Sequence, residues 1–536
     1  MKRITFVLVL LATVSLSAQS VDVLPATPAA KLVRSLVDGG SADLRSVYAP
    51  AGYAFFWTRS SRPTAQAQSV IAQLESASTK GLDPADYNGG RWSSRIANLR
   101  TDADLARFDI DLTSAVIQYA SDLRLGRVNP REVRFDFDLD DKKLYAPALV
   151  AQISSANDAA AVLASLEPKH DDYRRLIAAL ATYRRIESES ANEAPLPVVT
   201  KLTKGQTYEA LPQMAARLRR LGDLDKDAVV TGTVYDGAIV DAVKHFQSRH
   251  GLDADGVIGK TTFAQLNVTA SERVQQIEWA IERWRWIPET DASTIVVNIP
   301  EFKLRARNAQ TGEELTMRVV VGKAAGHKTP VFDGDVKHVV FRPYWSVPPS
   351  IQRGEIAPKI ERDASYLARN NYELVDDSGR QVAVNAANIS RVRSGAVSVR
   401  QKPGTSNALG LVKFLFPNDN NVYLHSTPQQ ALFARTRRDF SHGCIRVEDP
   451  AALADWVLRG QESWSKEKVE AAMNGKRDDM YVKIQRPIEV VITYATAVAQ
   501  ENGEVNFFQD IYGHDTQLAR VLEPEQKGAA VLVAAK

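Results

Sequence analysis

The hydrophobic pattern of this chain changes period near Thr294, and that change decides its fold class. Upstream, apolar residues recur at helical spacing. They include Val116, Ile117, Ala120 and Leu123, then Leu211, Met214, Leu218 and Leu221, then Ile239, Val243 and Phe246, then Val274, Ile277, Ile281 and Trp284. Downstream, the segments Thr294 to Ile299, Phe302 to Ala306, Thr316 to Val321 and His338 to Phe341 are β-branched or alternating. The 536 residues have room for roughly three to four domains, so the expectation is a multidomain α+β protein.

The chain reads in segments. Residues 1–20 have a basic start (Lys2, Arg3), an apolar run from Ile4 to Val14 and then small residues, the pattern of a secretory signal peptide. The run is shorter than the ~20 residues that span a bilayer, so the cleaved product is expected to be exported and not integral to a membrane. Residues 25–190 predict a helical scaffold, with Gly126 and Pro130 ending the helix over 112–125. The polar stretch Glu187 to Pro197 reads as a linker. Residues 199–268 predict a small three-helix module, with Thr261 or Thr262 capping its last helix. Residues 290–490 predict a β-rich domain interrupted by a less regular, partly helical insertion over 348–399. That insertion precedes the motifs below and is a candidate lid. Glu489 to Tyr494 is a late strand, residues 491–536 are a C-terminal extension, and Glu523 to Lys536 is its tail.

Composition removes several function classes. The net charge of +3 argues against a dedicated nucleic-acid binder. One cysteine, Cys444, rules out an intramolecular disulfide, a cysteine-cluster zinc site and an iron–sulfur cluster. His170, His245, His250, His327, His338 and His514 show no zincin-type spacing, so no metal is expected. An unpaired cysteine in an exported chain is itself a flag for chemistry.

The chemistry lies in two strings. Tyr423-Leu424-His425-Ser426-Thr427-Pro428 is followed, after twelve positions, by Ser441-His442-Gly443-Cys444-Ile445-Arg446-Val447. Two of the eight histidines thus stand 19 and 2 positions before the cysteine. A thiol must lose its proton to attack a carbonyl, and close pairing with imidazole is expected to lower its pKa. Tyr423 and His425, two apart on a strand, share a face, and so do His442 and Cys444. Position alone therefore leaves both histidines open as the base. Gly443 permits a tight backbone in which N–H groups converge on one point, as an oxyanion hole requires.

The order His425, a gap, then Ser441-His442-Gly443-Cys444 resembles the L,D-transpeptidase family with its YkuD-like catalytic domain. The string AVKHFQSRHGLDADGVIGKTTFAQLN resembles the three-helix peptidoglycan-binding module of cell-wall enzymes. ERWRW (282–286), PYWSVPPSI (343–351), PGTSNALGLVKFLFPN (403–418) and DIYGHD (510–515) are similar to the large, periplasmic, scaffold-bearing branch. The resemblance implies Cys444 as nucleophile and His425 as base. Ser426 or its carbonyl orients the imidazole, and the Gly443 and Cys444 N–H groups form the oxyanion hole. Tyr423, Ser441, His442 and Arg446 line the site, with Arg446 offered to a substrate carboxylate. Arg446 stands where many members have Asn. The resemblance further implies peptidoglycan stem peptides and glycan as partners, alongside other cell-wall synthesis enzymes, 3→3 cross-linking without a cofactor, and acylation by carbapenems. Water, a free D-amino acid or a protein lysine as acceptor would make the same site a carboxypeptidase, an exchange enzyme or an anchoring enzyme. An inactive wall-binding scaffold is disfavoured by the intact motif, and a papain-like protease by the β-rich context and the His-before-Cys order.

Overall fold

The computed structural model describes residues 27–39, 42–290, 292–461 and 463–522; the segment read as a signal peptide and the tail after Leu522 lie outside them. The chain divides into two compact units, the first drawn from residues before 76, 85–118 and 144–163. That unit is helical, and a buried carboxylate organises its core. Asp109 accepts from the Tyr48 hydroxyl at 2.7 Å and from the Phe56 and Trp57 N–H groups at 3.0 and 2.8 Å. Burial nevertheless raises its carboxyl to about 6.

The second unit takes residues 76–84, 119–143 and everything from Ala164 onward. The stretch 25–190, expected as one domain, is thus shared between the two units. Its last helix, Asp171–Ser190, packs on the helix Ala270–Trp286 because Leu176, Leu180 and Tyr183 share a core with Ile277, Ile281 and Trp284. The latter helix opens on a capping box between Thr269 and Glu272.

The module consists of Leu211–Arg220, Ala238–Arg249 and Lys260–Leu266 around a separate core of Leu211, Met214, Leu218, Ile239, Val243 and Phe263. Its last helix is capped by Gly259 rather than by a threonine. Thr262 is buried instead, and its hydroxyl accepts from Gln247 Nε2 at 3.3 Å.

The β domain is built on one large sheet. Its strands are β1 (Thr294–Asn298), β2 (Lys303–Arg307), β3 (Glu314–Gly322), β4 (Val331–Phe341), β5 (Val412–Leu415), β6 (Leu424–His425), β7 (Asp439–Ser441), β8 (Ile445–Val447) and β9 (Met480–Thr493). The order is β5-β6-β8-β3-β2-β1-β9-β4, and β4 pairs back onto β5, so the sheet closes on itself as a barrel would. The late strand read at 489–494 is the end of β9, which lies between β1 and β4. β7 runs parallel beside the end of β3.

The insertion is a subdomain of its own. Trp345–Ser346, Tyr372–Val375, Gln381–Val382 and Ser398–Gln401 form a four-stranded antiparallel sheet. Short helical turns close a core that includes Ile356, Ile360, Leu374, Val392 and Val399. The residues after β9 are no loose extension. Tyr494, Ala497, Phe507, Tyr512 and Leu518 are buried in the main core, and Arg249 of the module donates to the Val505 carbonyl at 3.0 Å.

Candidate active site

Strand register brings the two strings together. β6 runs parallel to β8, with Leu424 opposite Ile445 and His425 opposite Arg446. Ile445 N–H donates to the Tyr423 carbonyl at 3.1 Å. Leu424, Ile445 and Val447 are buried in the core. Alternation therefore sends Tyr423, His425, Cys444 and Arg446 to the opposite face, side by side.

His425 is buried, and its Nδ1 lies 2.5 Å from the Ser426 carbonyl. A carbonyl only accepts, so Nδ1 carries the hydrogen and Nε2 keeps its lone pair. Burial first, and then the Arg446 guanidinium, lower the imidazole pKa to about 3. Both effects favour the neutral imidazole over the imidazolium. Of the two possibilities at Ser426, the structure uses the carbonyl.

The Cys444 thiol lies 3.7 Å from the Asn421 carbonyl, and Tyr423 faces it with both backbone and hydroxyl. No hydrogen bond to His425 is found among the described residues. Burial pushes the thiol up, while Tyr423 and Arg446 draw it down by less. This corrects the expectation of a lowered thiol, because burial outweighs the neighbouring donors and His425 contributes no charge. The Tyr423 hydroxyl is itself raised far above its usual range, by burial first and then by Cys444. Its ring meets His425 edge-on at 5.7 Å.

The loop carrying Cys444 is tied internally. Ser441 Oγ donates to the Cys444 carbonyl at 2.6 Å and accepts from Gly443 N–H at 3.1 Å. Ser441 is buried, so its hydroxyl belongs to the loop and not to a substrate surface. The Gly443 N–H is likewise taken, which leaves only the Cys444 N–H of the two expected oxyanion donors. Thr329 Oγ1 donates to the Gly443 carbonyl at 2.7 Å.

His442 is engaged by groups other than His425. Its Nε2 lies 2.7 Å from Glu355 Oε1 in the inserted subdomain, and its ring lies 4.5 Å from that of His327. Arg446 donates from Nη1 to Gln429 Oε1 at 2.6 Å, while its Nε is buried without a partner among the described residues. Lys413 of β5 stands opposite His425, and burial lowers its ammonium.

Sequence reasoning missed Thr329, Asn421, Glu355 and Tyr512, which reach the loop from other parts of the chain. The DIYGHD string marked the stretch containing Tyr512, but without assigning it a task.

Three stretches match sequence models of known families. Residues 42–180 match the "Scaffold domain", residues 207–266 the "Putative peptidoglycan binding domain", and residues 292–470 the "L,D-transpeptidase catalytic domain". A Haemophilus influenzae protein named "Putative L,D-transpeptidase" is 32% identical over 250 residues. That is 46% of this chain and 50% of the relative, so the match spans half the relative's length. The crystal structure of an L,D-transpeptidase (Yku) from Stackebrandtia nassauensis aligns with 55% of this chain and 97% of that one, at 13% identity and a TM-score of 0.21. A superposition that loose carries no weight. No helix among the described residues is long and apolar enough to cross a membrane.

Proposed function

We propose that this chain, which carries an L,D-transpeptidase catalytic domain over residues 292–470 and a peptidoglycan-binding domain over 207–266, is an exported cysteine enzyme that cross-links peptidoglycan stems. One observation carries the reading of the site. Parallel pairing of β6 with β8 sets His425 and Cys444 on one face, with the His425 Nδ1 directed at the Ser426 carbonyl.

His425 takes the thiol proton, and Sγ bonds to the carbonyl carbon of the third stem residue. The π pair moves to oxygen, where the Cys444 N–H is the available donor. The carbon–nitrogen bond breaks, imidazolium returns the proton to the departing D-Ala amine, and a thioester remains. The side-chain amine of another stem's third residue then attacks the thioester, the thiol leaves, and a 3→3 cross-link results. The inserted subdomain shields the thioester from water, which would otherwise release the stem uncrosslinked. Arg446 meets a carboxylate of the stem.

The test is a mass-spectrometric assay of disaccharide-tetrapeptide with the wild type and with Cys444→Ala. A dimer lighter than two monomers by one D-Ala, formed by the wild type alone, is the expected product. A dimer formed equally by Cys444→Ala would overturn the mechanism. A tripeptide without dimer would make the enzyme a hydrolase.

A further inference from the structure

We infer that Thr329 is a positioning residue: its hydroxyl sets the Gly443–Cys444 peptide plane so that the Cys444 N–H is presented to the oxygen of the bond under attack. This rests on Cys444 being the nucleophile, as proposed above.

Thr329 lies just before β4 and is almost fully buried. Its hydroxyl accepts from Gly322 N–H at 2.9 Å and donates to the Gly443 carbonyl at 2.7 Å. The direction is settled, because an N–H only donates and a carbonyl only accepts. In a trans peptide the carbonyl and the following N–H point in opposite directions. Holding the Gly443 oxygen toward Thr329 therefore turns the Cys444 N–H away from it.

The remaining polar groups of the loop are already used. Ser441 Oγ takes the Gly443 N–H and satisfies the Cys444 carbonyl. The Cys444 N–H has no partner among the described residues, and an unpaired backbone donor beside a nucleophile is suited to a developing oxyanion. The restraint also falls where the backbone is freest, since Gly443 has φ +118°, which other residues avoid.

Thr329 is in turn held from behind. The Tyr512 hydroxyl donates to the Gly322 carbonyl at 2.5 Å and accepts from Thr329 N–H at 3.2 Å. The C-terminal segment thus reaches the nucleophile loop through two hydroxyls.

The experiment uses the full chain as wild type, Thr329→Val and Thr329→Ser, with two probes of Cys444. Acylation by meropenem passes through a tetrahedral oxyanion. Alkylation by iodoacetamide displaces iodide from a saturated carbon and needs no oxyanion donor. Both rates are read from the mass of the protein.

Thr329→Val is expected to lose about 10–100-fold in acylation, short of the loss of a whole oxyanion donor, with alkylation held within about 2-fold. Thr329→Ser keeps both rates. The inference is overturned if Thr329→Val acylates at the wild-type rate, or if acylation and alkylation fall together. Should the valine variant not fold, Tyr512→Phe decides: a selective loss of acylation supports the inference, and unchanged rates overturn it. A wild type that is alkylated but never acylated would instead sink the nucleophile reading itself, and the inference with it.

Discussion

His425 lies level with Arg446 across the β6–β8 pair, while Cys444 lies one step back beside Tyr423. Base and thiol therefore share a face on a diagonal. The resting thiol points at the Asn421 carbonyl, and attack through His425 requires it to turn about its own side chain. Side-chain rotation is fast compared with turnover. The pair rests as neutral thiol and neutral imidazole.

The first prediction concerns pH. Imidazole titrates near 6.5 in solution, but His425 is lowered to about 3 by burial and by Arg446. A group with a depressed pKa stays in its neutral, proton-accepting form until the pH falls through that lower value. Meropenem acylation is therefore expected to be flat from about pH 5 to 8. Iodoacetamide alkylation should rise across the same range, because it follows the thiolate of a thiol pushed up by burial. An acid limb near 6.5 in the acylation profile would show His425 titrating normally, contrary to this account.

Arg446 acts on both partners. It is the second cause of the lowered His425 and also draws the Cys444 thiol down. Its Nη1 is tied to Gln429, which leaves buried Nε as spare donor capacity. Replacing it by methionine keeps the length and removes the charge. The KM for the tetrapeptide should rise about 10–100-fold, the range for hydrogen bonds to charged groups. The acid limb of acylation should also move upward from about 3. An unchanged KM would remove Arg446 from substrate binding.

The inserted subdomain touches the nucleophile loop through Glu355 and His442, 2.7 Å apart. Both are partly exposed, and such pairs contribute ~0–1 kcal/mol. Glu355→Ala should leave meropenem acylation within about 3-fold, since the thiol and its base are untouched. With disaccharide-tetrapeptide, the ratio of tripeptide to dimer should increase as water gains access to the thioester. An unaltered product ratio would deny this contact a part in shielding.

The sequence made the site's four facing side chains legible for a physical reason. Tyr423, His425, Cys444 and Arg446 alternate with apolar core residues, and a period of two can be read without coordinates. The module was legible because its two long helical stripes bury one another locally. What stayed hidden was the support of the loop. Thr329 and Tyr512 come from the turn before β4 and from the segment after β9, far along the chain from Cys444, and a lone hydroxyl leaves no periodic trace. The raised thiol was missed because burial, a property of the whole fold, outweighs the histidine that suggested the opposite. The insertion's own four-stranded sheet was missed because its strands are two to four residues long.

The last prediction tests how closely β3 must approach the turn after it. A Cβ on Gly322 would sit 1.9 Å from the His327 carbonyl oxygen and 2.7 Å from Thr329 N. Both are backbone atoms and cannot swing aside as a side chain would. Gly322→Ala must therefore push the 323–329 turn outward and draw Thr329 off the Gly443 carbonyl. Overpacking of this kind costs about 1–3 kcal/mol. Gly354 is the comparison, because a Cβ there meets nothing within 4 Å. Gly354→Ala should change stability by no more than about 0.5 kcal/mol. Thermal unfolding of the two variants, with meropenem acylation measured below the transition, separates the cases. Gly322→Ala should unfold earlier and acylate more slowly, and Gly354→Ala should match the wild type in both. A Gly322→Ala protein with wild-type acylation would show that the loop keeps its geometry without this contact.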